Sequence, residues 1–137
     1  MGGAGHSFVE HTSEVELHLF APTLPALFAE AGRALAELML GEGPRAGETV
    51  TAEVSVTAPD REALLAAWID ELIYLSETRK AVFTRFELTR LADGALCARL
   101  AGIAEPVLVT AVKAATFHDL RIAEEGGQFV ATVVLDV

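Results

Sequence analysis

The order in which two hydrophobic periodicities occur along the chain limits its possible folds more than any other feature. Residues 14–20 alternate between aliphatic and charged side chains, which is typical of a half-buried β-strand. Residues 24–40 instead place apolar side chains at helical spacing. The chain repeats this pair, with a strand predicted over about 48–57 and a helix over about 60–80. The first half of the chain is therefore predicted to be β-α-β-α.

Local signals at the helix ends agree with these periodicities. Thr23 can cap the first helix, because a hydroxyl oxygen accepts a free N–H of the first turn, and Pro25 is tolerated there. Asp60 can cap the second helix in the same way. The run Gly41-Glu42-Gly43-Pro44 ends the first helix and predicts a loop.

The second half of the chain is predicted to consist of strands. Four strands are predicted, over about 82–91, 95–102, 116–122 and 128–137. Asp93-Gly94 is a strong hairpin signal between the first two. Residues 107–115 are apolar, and their β-branched members favour a further strand. The expected fold is α+β and two-layered, with two helices packed on one face of a mixed, mostly antiparallel sheet.

Length and composition favour one domain. The chain has 137 residues, of which 52% are hydrophobic, enough for a single core. Residues 8–137 are predicted to form that domain, after a Gly-rich, flexible leader at residues 1–7. The start of the sequence does not resemble a signal peptide, and no apolar run approaches the roughly 20 residues of a membrane span. We therefore expect a cytoplasmic protein without a membrane partner.

The charge of the chain restricts its partners. Twenty acidic residues against ten basic ones give a formal net charge of −10. Because such a chain repels the phosphate backbone, we expect no direct nucleic-acid binding. Cations, basic protein surfaces and small molecules are the expected partners. The single Cys97 excludes an internal disulfide and a multi-cysteine zinc site.

Two acidic segments could form a site if the fold brings them together. The final predicted strand ends at Asp136 and Val137, whose main-chain carboxylate would be fixed beside the Asp136 side chain. The second segment is Glu10-His11-Thr12-Ser13-Glu14. Oxygen groups from both would suit a hard cation. Alternatively, His11 and Thr12 bond the local backbone, while Glu14 and Asp136 are solvated.

Lys113 is one of only two lysines, and it lies in an apolar stretch that ends at His118. A cation in such a stretch usually needs a counter-charge, so Lys113 is either a functional residue or half of a structural ion pair. The chain lacks a Walker loop, a G-x-S-x-G elbow and the H-E-x-x-H and C-x-x-C motifs, which makes a stand-alone enzyme less probable.

Five segments of the chain, in order, resemble the archease family. They are Glu10–Val15, Trp68–Leu75, Val82-Phe83, Val112–Leu120 and the terminal Val134–Val137. The resemblance spans nearly the whole chain after residue 7. It implies a small acidic α+β protein that assists the RNA-splicing ligase RtcB in tRNA splicing and RNA repair. Members of the family promote guanylylation of the ligase, so that it turns over repeatedly, and they bind a divalent cation, calcium in the described cases.

The resemblance also implies roles for particular residues. The cation ligands would be Glu14, Asp136 and the carboxylate of Val137, and the family's functional lysine matches Lys113. Lys113, His11 and His118 are the expected contacts to the partner or to phosphate. The family's first motif has Asp where this chain has Glu14, which is one methylene longer but keeps the charge and the oxygen donors. Ca²⁺ tolerates such a change in geometry better than Mg²⁺ does.

Three functions stay open from the sequence. The first is an accessory protein of the RNA ligase, and the second is a chaperone or modulator of another nucleic-acid-modifying protein. The third is a metal-dependent hydrolase that uses Glu14, Asp136 and His11. The third is the least favoured, because the sequence offers no nucleophile and no base with an orienting partner.

Overall fold

The computed structural model describes residues 3–43 and 45–137, which form two α-helices and seven β-strands. In chain order they are β1 (Gly5–His11), β2 (Glu14–Ala21), α1 (Leu24–Leu40), β3 (Thr49–Thr57), α2 (Arg61–Arg79), β4 (Ala81–Ala92), β5 (Ala95–Ala104), β6 (Ala114–Glu125) and β7 (Gln128–Asp136). The α+β class predicted from the sequence is confirmed.

The strands form two sheets. The four-stranded sheet has the order β1-β2-β7-β6, and the three-stranded sheet has the order β3-β5-β4. Every pair of neighbouring strands is antiparallel. Helix α1 packs on β4 and β2, one strand from each sheet, while α2 packs mainly on β6. The helices therefore join the two sheets around a shared core.

Both helices begin and end at the residues that the sequence indicates. The Thr23 side chain accepts a hydrogen bond from the Ala26 N–H at 3.2 Å, and Asp60 accepts one from Ala63 at 2.8 Å. These bonds satisfy N–H groups of the first turn, which have no partner inside a helix. Helix α1 ends at Leu40 and is followed by its C-cap residue Gly41, whose φ of +58° is readily adopted by glycine.

The core is centred on Trp68 of α2, which is fully buried. Its ring meets Phe86 of β4 edge to face, with 6.0 Å between the ring centroids. Its Nε1–H donates to the Phe28 carbonyl of α1 at 2.8 Å, so the one polar atom of the ring is satisfied. Trp68 thereby links both helices to the three-stranded sheet.

Two segments differ from the sequence predictions. Strand β1 begins at Gly5, so residues 5–7 of the predicted flexible leader are strand residues that pair with β2. Residues 107–115, whose β-branched members favour a strand, form an irregular loop as far as residue 113, and β6 begins only at Ala114. Met1 and Gly2 of the predicted leader, and Pro44 of the predicted loop, lie outside the described residues. None of the described helices is long and apolar enough to cross a membrane.

Candidate functional site at one end of the four-stranded sheet

Strand register brings the two predicted acidic segments together. Glu14, the first residue of β2, lies directly opposite Asp136, the last residue of β7. The same row continues on both sides, because His11 lies opposite Glu14 and Ala114 lies opposite Asp136. All four strands of the sheet thus contribute to this end of the molecule.

The two carboxylates lie on the outer face of the sheet. Val15 and Leu135, the next pair along the two strands, are buried in the core. Because side chains alternate along a strand, Glu14 and Asp136 face the other way. Glu14 is exposed and Asp136 is half-buried.

Main-chain hydrogen bonds fix the residues around this pair. The Val137 N–H donates to the Ser13 carbonyl at 3.1 Å, and the Lys113 N–H donates to the Asp136 carbonyl at 2.8 Å. Ser13 lies in the two-residue turn between β1 and β2, with a φ of +60°. The predicted residues Glu14, Lys113, Asp136 and Val137 are therefore brought to one end of the sheet.

Within the described part of the chain, the Glu14 and Asp136 carboxylates have no ion-pair partner. Among the described residues, no basic nitrogen lies within 4.0 Å of the Glu14 or Asp136 carboxylate. Like charges directly opposite each other on neighbouring strands repel. A cation would relieve that repulsion, and carboxylate oxygens are the donors that Ca²⁺ prefers.

The donor set fits a hard cation by its chemistry. Within residues 3–43 and 45–137, no group of three or more His, Cys, Asp or Glu side chains is placed to hold a metal ion. The predicted set contains two such side chains, Glu14 and Asp136, and its third member is the main-chain carboxylate of Val137. The cation site therefore stays a prediction.

Asp70 of α2 also takes part in the structure of this end. Its Oδ1 accepts a hydrogen bond from the Ala115 N–H at 2.8 Å, next to the start of β6. No local signal reveals this bond, because its two partners are 45 residues apart in the sequence.

The predicted partner-contact histidines have different surroundings. His11 Nε2 lies 3.1 Å from a Glu16 carboxylate oxygen, and His18 lies 3.4 Å from the other oxygen of the same group. His118 lies in a bulge of β6, where its highly exposed ring is 3.0 Å from the Asp119 carboxylate. Within the described part of the chain, neither His11 nor His118 forms an ion pair with Glu14 or Asp136.

These features define a class of small acidic α+β domains, in which the end of one antiparallel sheet gathers carboxylates that have no cationic partner among the described residues. Residues 6–137 match the sequence profile of the Archease protein family (MTH1598/TM1083), so the chain belongs to the archease family. The chain is 30% identical to the protein archease of Methanosarcina acetivorans over 143 residues, covering 98% of this chain and 97% of the relative. It is 31% identical to that of Pyrobaculum calidifontis over 142 residues, covering 98% and 96%.

Solved structures show the same fold. The solution structure of Methanobacterium thermoautotrophicum protein 1598 superposes with a TM-score of 0.71 at 27% identity, covering 97% of this chain and 99% of that one. A crystal structure from Thermotoga maritima, described as an archease and possible chaperone, gives a TM-score of 0.68 at 19% identity, covering 94% of each chain. At that identity, the second likeness concerns the fold alone.

Proposed function

We propose that this chain is an accessory protein that activates the GTP-dependent RNA ligase RtcB. It promotes guanylylation of the ligase, and hence repeated turnover, in tRNA splicing and RNA repair in the cytoplasm, and it carries out no reaction of its own. The observation that carries the proposal is the pairing of Glu14 with Asp136, because it gathers the family's implied ligand positions at one end of the sheet.

Glu14, Asp136 and the Val137 carboxylate hold a divalent cation in this proposal, with Ca²⁺ as the expected ion. Bound there, the cation supplies positive charge next to acidic groups that would otherwise repel phosphate. The exposed side chain of Lys113 contacts the partner or a phosphate, as do His11 and His118. These residues position and neutralise charge, so the reacting groups belong to the ligase.

The net charge of the chain supports a basic partner. A ligase that handles RNA needs a positive surface, and a chain with a formal charge of −10 is attracted to it over distances of about a Debye length. Association should therefore become slower as salt concentration rises.

A second candidate function is that of a chaperone or modulator of another nucleic-acid-modifying protein. This alternative is supported by the net charge of the chain, because an acidic surface suits the basic surface of any protein that handles nucleic acid. Both proposals rest on the acidic surface of the chain and on its lack of catalytic motifs, so they differ only in the identity of the client protein.

The test is ligase turnover with a matched pair of variants. Purified RtcB, GTP, divalent metal and excess RNA are combined with substoichiometric amounts of the wild type, Asp136→Asn or Asp93→Asn. Asp93 is the control, because it is an exposed acid in the turn between β4 and β5, which belong to the other sheet. We expect the wild type and Asp93→Asn to produce many products per ligase, and Asp136→Asn to lose most of that stimulation.

The outcomes separate the proposals. A fully active, folded Asp136→Asn protein would contradict the role of the acidic end. Unchanged turnover with wild-type protein and a competent ligase would favour the second candidate. Repeating the turnover assay with Glu14→Asp then tests whether the longer glutamate side chain accounts for the missing stimulation. Calcium titration by calorimetry provides a separate readout of the cation, since a Gly-Ser extension after Val137 displaces its carboxylate and should weaken binding.

A further inference from the structure

The loop between β5 and β6 exposes three consecutive aliphatic side chains. Val107, Leu108 and Val109 are 73%, 48% and 60% exposed. Among the described residues, the other large apolar side chains that are exposed occur singly along the chain: Val9, Phe20, Tyr74 and Phe117. A run of three exposed apolar residues is unfavourable in a soluble domain unless it serves an interaction.

Backbone hydrogen bonds hold this loop to three separate parts of the fold. The Glu105 N–H donates to the Lys80 carbonyl at 2.7 Å, and the Val109 N–H donates to Met39 at 2.8 Å. Lys113 makes the third bond, to Asp136. Val112 is only 4% exposed and packs in the core. The exposed side chains therefore project from a fixed backbone, which lowers the entropy cost of binding.

The loop leads directly to the candidate site. Its last residue, Lys113, bonds Asp136, so the aliphatic run ends four residues before the acidic end of the sheet. Tyr74 of α2 is also 59% exposed, and it lies one helical turn from Asp70, which bonds Ala115 near the start of β6. A partner that covers the loop would also reach the acidic end.

The charges beside the loop indicate the character of that partner. Leu108 lines a shallow depression together with Glu77, Glu105 and one cation, Lys80. In a chain with a formal charge of −10, a second copy would place acids against acids. A basic protein surface would instead complement this rim.

We propose that the aliphatic loop 107–109 is the anchor through which this chain docks on a basic protein, namely the RNA ligase of the proposed function, on which this inference rests. The loop supplies affinity by burying apolar area, while Glu14, Asp136 and Val137 supply activation. Substitutions in the loop should therefore change the affinity for the ligase, whereas substitutions at the acidic end should change its activation.

The test compares a loop variant with a matched apolar control. Val107→Ser with Leu108→Ser removes apolar surface without adding charge. Phe20→Ser is the control, because Phe20 is 42% exposed but lies six residues along β2 from Glu14, about 20 Å away. Thermal unfolding checks that each variant folds. The dissociation constant for RtcB is measured by titration, and ligase turnover is measured across the same concentrations.

We expect the loop variant to have a dissociation constant at least about tenfold higher than the wild type, as for loss of an interface hot spot. At saturating concentration, it should still stimulate ligase turnover as much as the wild type does. Asp136→Asn should show the opposite pattern, binding well but stimulating little. An unchanged constant for the loop variant, or an equal rise for Phe20→Ser, overturns the inference and leaves the proposed function standing. A wild-type protein that neither binds nor activates RtcB overturns both. A loop-dependent dimer in sedimentation experiments would overturn the choice of partner.

Discussion

His6 links the edge strand β1 to helix α1, and its charge should make the stability of the protein depend on pH. Its Nδ1 lies 2.6 Å from a Glu30 carboxylate oxygen, and its Nε2 lies 2.8 Å from Glu37. A neutral imidazole has only one N–H, so donating to both carboxylates requires the imidazolium. Burial lowers the pKa of His6, but the hydrogen bonds to Glu30 and Glu37 outweigh it and raise the pKa above 6.5.

The perturbation is His6→Gln, which keeps a polar side chain but removes the charge. A hydrogen bond to a charged group contributes about 1.5–3 kcal/mol to stability. The Glu37 side chain is 51% exposed, so solvent screens its bond and most of the effect comes from Glu30, which is 8% exposed. Glu30 keeps its ion pair with Arg33. We expect a loss of about 2 kcal/mol in unfolding free energy at pH 6.

The direction of the pH dependence follows from the raised pKa of His6. The folded state holds its proton more tightly than the unfolded state does, so the stabilisation is complete below about pH 6.5. It is lost as pH rises through the folded-state pKa, with a slope of at most about 1.4 kcal/mol per pH unit. The difference in unfolding free energy between wild type and His6→Gln should therefore be larger at pH 6 than at pH 9.5.

Urea denaturation of both proteins at these two pH values, at one ionic strength, measures the difference. His118→Gln is the control, because His118 is highly exposed and pairs only with its neighbour Asp119 within the described chain. An equal difference at pH 6 and pH 9.5 would refute the argument. So would a pH-dependent loss of similar size in the control.

Two further substitutions test the packing and the candidate site. Gly102→Ala would place a Cβ against the Val82 carbonyl and 2.6 Å from the Phe83 Cα. Because these backbone atoms cannot move aside, we expect urea denaturation to show a loss of about 3 kcal/mol in unfolding free energy. A loss below about 0.5 kcal/mol would contradict this expectation. Asp70→Ala leaves the Ala115 N–H without its partner, so we expect a loss of about 1–3 kcal/mol in unfolding free energy and faster hydrogen exchange at that amide. Glu71→Ala is the control, and equal effects from it would contradict the role of Asp70 as the acceptor of this bond.

Most elements of the fold could be predicted from local patterns. The alternation around Val15 and the helical spacing after Thr23 are set by residues close in sequence, and the structure confirms both. Strand β1 was missed because its pattern is weak. Gly5 and His6 precede Phe8, and the strand is recognisable only from its pairing with β2.

The loop at 105–113 shows where local pattern fails. Its β-branched residues favour a strand, yet its backbone bonds go to Lys80 at the end of α2, to Met39 in α1 and to Asp136 in β7. Only Val112 is buried in the core, and the other aliphatic residues of the loop stay largely exposed. Because the bonding partners are distant in sequence, neither the loop path nor the exposure of its side chains could be read from composition.

The candidate site depends on backbone pairing more than on the identity of its side chains. Glu14 and Asp136 are 122 residues apart in sequence, and the β2–β7 register places them opposite each other whatever their side chains are. The bond between Val137 and Ser13 continues the same ladder. Glutamate at position 14, where the family motif has aspartate, therefore leaves the position of the carboxylate-bearing residue unchanged and alters only its reach and its rotamer freedom. Since Glu14 is exposed, that longer side chain has room to adjust toward Asp136, so in the proposed cation site the substitution should change the affinity for the ion more than the place where it would bind.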